Sequence, residues 1–128
     1  MVVAGAAICA IAALIHVYIF VLESLRWTSP TTRAVFGTTP EQAEATRELA
    51  YNQGFYNLFL AVEIAVGVVV LAVGDEAIGA TLVLAGAASM VAAGLVLLVS
   101  SPDKASAALK QLVPPLAGIA LLVVGLVA

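Results

Sequence analysis

Residues 77–100 read AIGATLVLAGAASMVAAGLVLLVS, and no charged side chain interrupts them. A membrane-crossing helix needs about 20 mostly apolar residues. This stretch meets that requirement outright, so the rest of the chain is read with lipid as its solvent. Just before it, Gly74-Asp75-Glu76 makes a tight turn: Gly74 suits the left-handed end of one helix, and Asp75 suits the cap of the next. Upstream of the turn, residues from about Asn52 to Val73 form a second span whose only charge is Glu63. Further upstream, Met1 to about Leu25 is apolar except for His16, Glu23 and Ser24. It lacks a basic start and is too long for a signal-peptide core, so it reads as a retained span. Downstream, a last span of about 105–128 ends at Ala128. Its start lies between Pro102 and Leu112, because Pro114-Pro115 either bends the helix or marks a late beginning.

The composition agrees. The chain has 128 residues, 63% hydrophobic and 10% charged, with a mean hydropathy of +1.15. An average soluble domain carries about 25% charged residues. Five Lys and Arg exclude a nucleic-acid surface, and nucleic acid is not an expected partner. A single Cys excludes an internal disulfide and a cysteine zinc site, and a single His excludes a multi-histidine centre. No metal site and no cofactor motif is expected. The fold class is an all-α integral membrane four-helix bundle, one transmembrane domain over 1–128 with short helical segments in its first loop.

All the basic residues fall on one side of this topology. Arg26, Arg33 and Arg47 lie between spans one and two, and Lys104 and Lys110 follow span three. The positive-inside rule makes that side cytoplasmic and puts both termini outside. Trp27 suits the interface belt there. Within the loop 26–51, Ser29-Pro30 starts a helix and Gly37 ends it, while Thr39-Pro40-Glu41-Gln42 has the form of a capping box. With no later proline before span two ends, this helix is expected to run unbroken from Pro40 to Val73, about 50 Å. Glu44 and Glu48 face Arg47 on a solvated surface. Small residues recur in the spans at Gly5, Ala6, Ala10, Gly79, Gly86, Ala93, Gly118 and Gly125. They seat helices within the bundle or, alternatively, between copies in a homo-oligomer.

Ionisable groups inside a membrane are functional candidates by default. With the inner boundary near Leu25 and Gln53, His16 sits about 13 Å deep and Glu63 about 15 Å deep. At about 100° per residue, His16 and Glu23 share one face of span one, while Asn52, Tyr56 and Glu63 share one face of span two. If the two stripes meet, His16 pairs with Glu63, and Glu23 meets Asn52 or Tyr56. That layout makes a polar cavity open to the cytoplasm, with His16, Glu23, Asn52, Gln53, Tyr56, Asn57 and Glu63 as its candidate ligand-binding residues. The plainer alternative is polar glue between helices, with Asn52, Gln53 and Asn57 bonding loop backbone. Ser89 lies at a similar depth, but no strained nucleophile turn surrounds it. No catalytic residue is named.

The pattern His16-x-Tyr18, Glu23, Trp27-Thr28-x-Pro30, Phe36-Gly37-x-x-Pro40-Glu41 and Asn52-Gln53-Gly54-x-Tyr56-Asn57 resembles that of a small bacterial membrane-protein family catalogued as domain of unknown function 1304. The likeness covers nearly the whole chain, and Phe36 to Asn57 is its specific part. The resemblance implies four helices in a bacterial inner membrane and supplies no established activity. An acidic residue often precedes the histidine in that family, where this chain has Ile15, and a small or apolar residue usually stands where it has Glu63. The expectation is one carboxylate exchanged for another around the same histidine. The leading functional reading is therefore a multi-pass protein of the plasma membrane that binds or moves a small molecule or proton through the cavity. The alternatives are a membrane enzyme using His16 as acid or base, and a non-catalytic accessory subunit; a non-enzyme is favoured. Its partners are the lipid bilayer, a small-molecule ligand and a homo-oligomeric copy.

Overall fold

The computed structural model describes residues Met1–Ala128. Helix α1 spans Val2–Phe20 and passes directly into a π-helical turn, Val21–Leu25. Two short helices follow, α2 (Pro30–Phe36) and α3 (Pro40–Ala45), then three long ones, α4 (Arg47–Ala72), α5 (Glu76–Ser100) and α6 (Ala105–Val127). Four segments are long and apolar enough to cross a membrane: α1 with its π turn, α4, α5, and α6 with the turn before it. The protein is a multi-pass membrane bundle. Its helices are joined α1 to α4 to α5 to α6 in a ring, with α1 returning against α6 and barely touching α5 across the diagonal.

The loop signals act as the sequence requires. Ser29 accepts the Thr32 N–H at 3.3 Å, and Gly37 takes the left-handed conformation at φ 66° that ends α2. Thr39 accepts the Gln42 N–H at 3.2 Å while the Gln42 side chain accepts the Thr39 N–H at 3.0 Å, closing the capping box. Asp75 accepts the Ile78 N–H at 3.0 Å and caps α5. Helix α6 begins at Ala105 and continues through both prolines, so Pro114-Pro115 does not mark a late start.

One helix departs from expectation. The run from Pro40 to Val73 is not continuous: it breaks at Thr46, whose φ of −107° and ψ of 5° lie outside the helical region. The Thr46 hydroxyl donates to the Gln42 carbonyl at 2.7 Å and accepts the Trp27 indole N–H at 3.2 Å. Back-bonding of this kind bends helices, and the indole holds the bend against the end of span one. The membrane helix α4 is thereby shortened to about 39 Å.

Small residues set the packing. A Cβ on Gly118 would collide with Cys9 Sγ and lie 3.0 Å from the Cys9 backbone nitrogen, so α1 and α6 touch backbone to backbone. A Cβ on Gly67 would lie 2.8 Å from the backbone nitrogen of Val83, and α4 meets α5 in the same way. The glycines noted in the sequence at 5, 79, 86, 118 and 125 all serve contacts inside the bundle, whereas Ala93 is exposed. Cys9, Ile64, Val83, Met90 and Leu122 fill the centre.

Candidate functional site

The polar residues of span one point inward. His16 is 1% exposed. Its Nδ1 lies 3.0 Å from the Ala12 carbonyl oxygen. A carbonyl only accepts, so Nδ1 donates the proton of this bond. No carboxylate forms a hydrogen bond or ion pair with this ring.

Glu23 sits in the π turn. A π turn closes i to i+5 bonds and recurs at functional sites. It breaks the 100° arithmetic that aligned Glu23 with His16, and it turns the carboxylate toward α4. There the Asn57 amide donates to Glu23 Oε2 at 2.8 Å and also to the Gln53 carbonyl at 3.2 Å. The next residue, Ser24, donates to the Tyr51 carbonyl at 2.7 Å. Gly54 lets this happen: a Cβ there would overlap Ser24 Oγ and lie 3.0 Å from the Ser24 nitrogen and 3.1 Å from Glu23 Cβ. Phe55 packs edge-on against Phe20, ring centres 5.1 Å apart, and fixes the same junction.

Above Glu23, at the end of the bundle that bears the arginines, lies a partly open cavity of about 560 Å³. Glu23 and Ser24 reach it from the π turn, Trp27 and Thr28 from the following loop, and Glu44, Arg47, Glu48 and Tyr51 from the α3–α4 junction. The bend at Thr46 creates it, because a straight helix would carry α3 away from Trp27. The indole packs at a tilt against Phe36, 5.0 Å between centres, so its orientation is fixed from two sides. Arg47 pairs with Glu44 at 3.5 Å, both about two-thirds exposed, so this contact contributes little stability.

Of the seven candidate residues, the structure joins side chain to side chain only Glu23 and Asn57, and Gln53 contributes just its backbone carbonyl. The two polar stripes do not face each other. The face of α4 turned inward carries Ala50, Gly54, Asn57, Ala61, Ile64 and Gly67. Asn52, Gln53 and Tyr56 are exposed, with Tyr56 at 64%, and Asn52 merely donates to the Glu48 carbonyl at 3.3 Å. Glu63 is half-buried and forms no hydrogen bond or ion pair, so the expected His16–Glu63 pair is absent. The exchange of carboxylates around His16 fails for the same reason. Ser89 is exposed and donates to the Ala85 carbonyl at 2.9 Å, apart from the buried histidine. No three His, Cys, Asp or Glu side chains converge anywhere in the chain.

Sequence reasoning missed Ser24, Thr46 and the cavity walls. One signal was present: Ala50, Gly54, Asn57, Ala61 and Ile64 alternate spacings of four and three, which marks a buried stripe that includes Asn57. The π turn has no comparable signature. No curated protein and no solved structure matches the chain. A family model matches residues 10–123, from the middle of α1 almost to the end of α6, and the chain belongs to that family, described as "Protein of unknown function (DUF1304)".

Proposed function

We propose that the protein binds a small molecule at the cavity above Glu23, with the arginine-bearing end of the bundle facing the cytoplasm of a bacterial cell and both termini outside. The basic residues support the orientation, since Arg26, Arg33, Arg47, Lys104 and Lys110 all flank that end and only Asp75 and Glu76 mark the other. The observation that carries the reading is the Glu23 carboxylate, held by Asn57 at the floor of a cavity of about 560 Å³. That volume falls in the range of small-ligand sites. Only one Glu23 oxygen is engaged by Asn57, so the other is free to accept from a ligand. The walls favour a cationic ligand: Glu23, Glu44 and Glu48 outnumber Arg47, which is already paired, and Trp27 and Tyr51 add aromatic surface. A proton delivered to Glu23 is the smallest such ligand. An enzyme built on His16 gains nothing from this geometry, because the ring lies in the bundle interior without a carboxylate partner.

The test is native mass spectrometry of protein extracted from membranes in mild detergent, wild type beside Glu23→Gln and His16→Ala. A retained small molecule that is lost with Glu23→Gln and kept with His16→Ala supports the reading. An empty wild type, or a ligand indifferent to Glu23, refutes it.

A further inference from the structure

A second cavity, of about 370 Å³, lies deeper in the bundle, along the seam between α1 and α4. All eight residues that line it are apolar. Its shape follows from residue size. Ala13 and Ala61 are buried and let the two helices approach. Leu14, Val17 and Val62 are exposed and rise on either side of them. The result is an apolar furrow in the membrane-facing surface, within the size range of small-ligand sites.

The furrow leads to the cavity above Glu23. On α4, Tyr51, Phe55, Leu58, Val62 and Ala65 fall within about 80° of one another at about 100° per residue, so they share one edge of the helix. Tyr51 lines the upper cavity, and Val62 and Ala65 line the furrow. On α1, Val17 belongs to the furrow, Phe20 follows three residues later, and Ser24 reaches the upper cavity. Phe55 closes the middle of this strip, with its ring centre 5.1 Å from Tyr51 and 5.1 Å from Phe20 across the seam. One track therefore runs down the α1–α4 seam, charged at its loop end, aromatic in the middle and aliphatic below. From Tyr51 to Ala61 it covers about 15 Å. That is half of a hydrocarbon core of about 30 Å, the depth that one lipid chain fills.

We propose that the ligand of the Glu23 cavity is a long-chain alkylammonium, with its head at the free oxygen of Glu23 and its tail laid over Phe20 and Phe55 into the furrow. This names the ligand class of the site described above and rests on that reading. The walls select the head. Glu23, Glu44 and Glu48 surround it, and the one cation among them, Arg47, is paired with Glu44. An ammonium brings three donors to the carboxylate and can sit against the faces of Trp27 and Tyr51. A phospholipid of the bilayer would bring a phosphate to the same three carboxylates, so charge turns the membrane's own lipids away from the head site. The track selects the tail, because a short alkyl group placed at Glu23 ends before the furrow begins.

The experiment titrates the protein in nanodiscs with butylammonium and with hexadecylammonium, which share a head and differ in tail. Emission of the single Trp, which lines the upper cavity, reads binding. Glu23→Gln is expected to weaken both ligands, on the order of tenfold for a lost charge-assisted hydrogen bond. Ala65→Leu fills the furrow from an exposed position. It is expected to weaken hexadecylammonium, on the order of tenfold for lost tail contacts, and to leave butylammonium unchanged. Ala10→Leu fills the furrow from α1 and should act in the same way. Val96→Leu, exposed on α5, should change neither ligand. Comparing variants in one lipid composition cancels the ordinary partition of the tail into the bilayer, and far-UV circular dichroism checks that each variant folds. A hexadecylammonium with a diazirine at its tail end should label the furrow residues of α1 and α4, mapped by peptide mass spectrometry. The inference is overturned if hexadecylammonium responds alike to Ala65→Leu, Ala10→Leu and Val96→Leu, or if the label spreads evenly over the four spans. Should butylammonium still depend on Glu23 in that case, the cavity reading stands without the tail site. Indifference of both ligands to Glu23→Gln overturns the two together.

Discussion

Replacing Gly54 by alanine places one methyl group where α4 meets the π turn. Two effects oppose each other. Alanine favours a helix over glycine by about 1 kcal/mol. Against this, the new Cβ overlaps Ser24 Oγ and stands 3.0 Å from the Ser24 nitrogen and 3.1 Å from Glu23 Cβ. The hydroxyl can rotate away, but the backbone nitrogen cannot, so the π turn must shift. Overpacking of this kind costs about 1–3 kcal/mol. Rotating Ser24 also forfeits its 2.7 Å bond to the Tyr51 carbonyl, worth about 1 kcal/mol. The balance is a net loss of about 1–3 kcal/mol despite the better helix former. A second substitution sharpens the test. Ser24→Ala in the wild type should cost about 1 kcal/mol. In the Gly54→Ala background it should cost nothing or restore stability, because the bond is already lost and the clashing oxygen is gone. Unfolding by SDS titration in mild detergent, followed by circular dichroism, measures all four proteins. If Gly54→Ala is stabilising, or Ser24→Ala costs the same in both backgrounds, the π turn is not seated on α4 through Gly54 and the account given for the placement of Glu23 fails.

Three further outcomes follow from the loop and the helix caps. Thr46→Ala removes both the back-bond to Gln42 and the acceptor for Trp27; the indole should gain solvent exposure, seen as a red shift in the emission of the single Trp, and unchanged emission would contradict the anchoring role. Asp75→Ala removes the cap of α5 and should destabilise the bundle by about 1 kcal/mol, whereas Asp75→Asn should cost much less in the same unfolding assay. The Glu41 carboxylate is held below its ordinary 4.5, first by its own backbone N–H and then by the Thr39 hydroxyl. A depressed folded value means that the contribution is complete above 4.5 and fades as pH falls through the lower value. Amides of α3 should then exchange faster with solvent on acidification in the wild type but not in Glu41→Gln, and equal acid sensitivity in both would remove the assignment.

The fold was legible because its signals are redundant. An uncharged Ala77–Ser100, the capping box at Thr39 and the Gly74-Asp75 turn each point to the same bundle. The site was legible only in part. Glu23 and Asn57 were among the candidates, yet the pairings were drawn from helical wheels that assume a constant turn. The π turn violates that assumption at Glu23, and the bend at Thr46 violates it at the start of α4. Both depend on contacts between segments far apart in sequence, Ser24 with Tyr51 and Trp27 with Thr46. Neither can be read from local spacing.

The orientation of α4 shows a broader reason. In water the apolar stripe of a helix names its buried face, so in lipid it is tempting to let the polar stripe do so. By that logic Asn52, Tyr56 and Glu63 belong inside. Asn52 and Tyr56 instead lie outside and Glu63 only half inside, because lipid removes the hydrophobic force that would sort the faces, leaving close contact as the main attraction. Closeness belongs to the stripe Gly54, Ala61 and Gly67, which lets α4 touch the π turn, α1 and α5 along its whole length. Each heavy-atom contact contributes only about 0.1–0.2 kcal/mol, but a helix face makes many of them. Bringing Glu63 inward would forfeit that contact along both seams. Leaving it off that face concentrates the cost in one half-buried carboxyl and keeps both seams. The buried face of a membrane helix is thus better read from its smallest residues than from its polar ones.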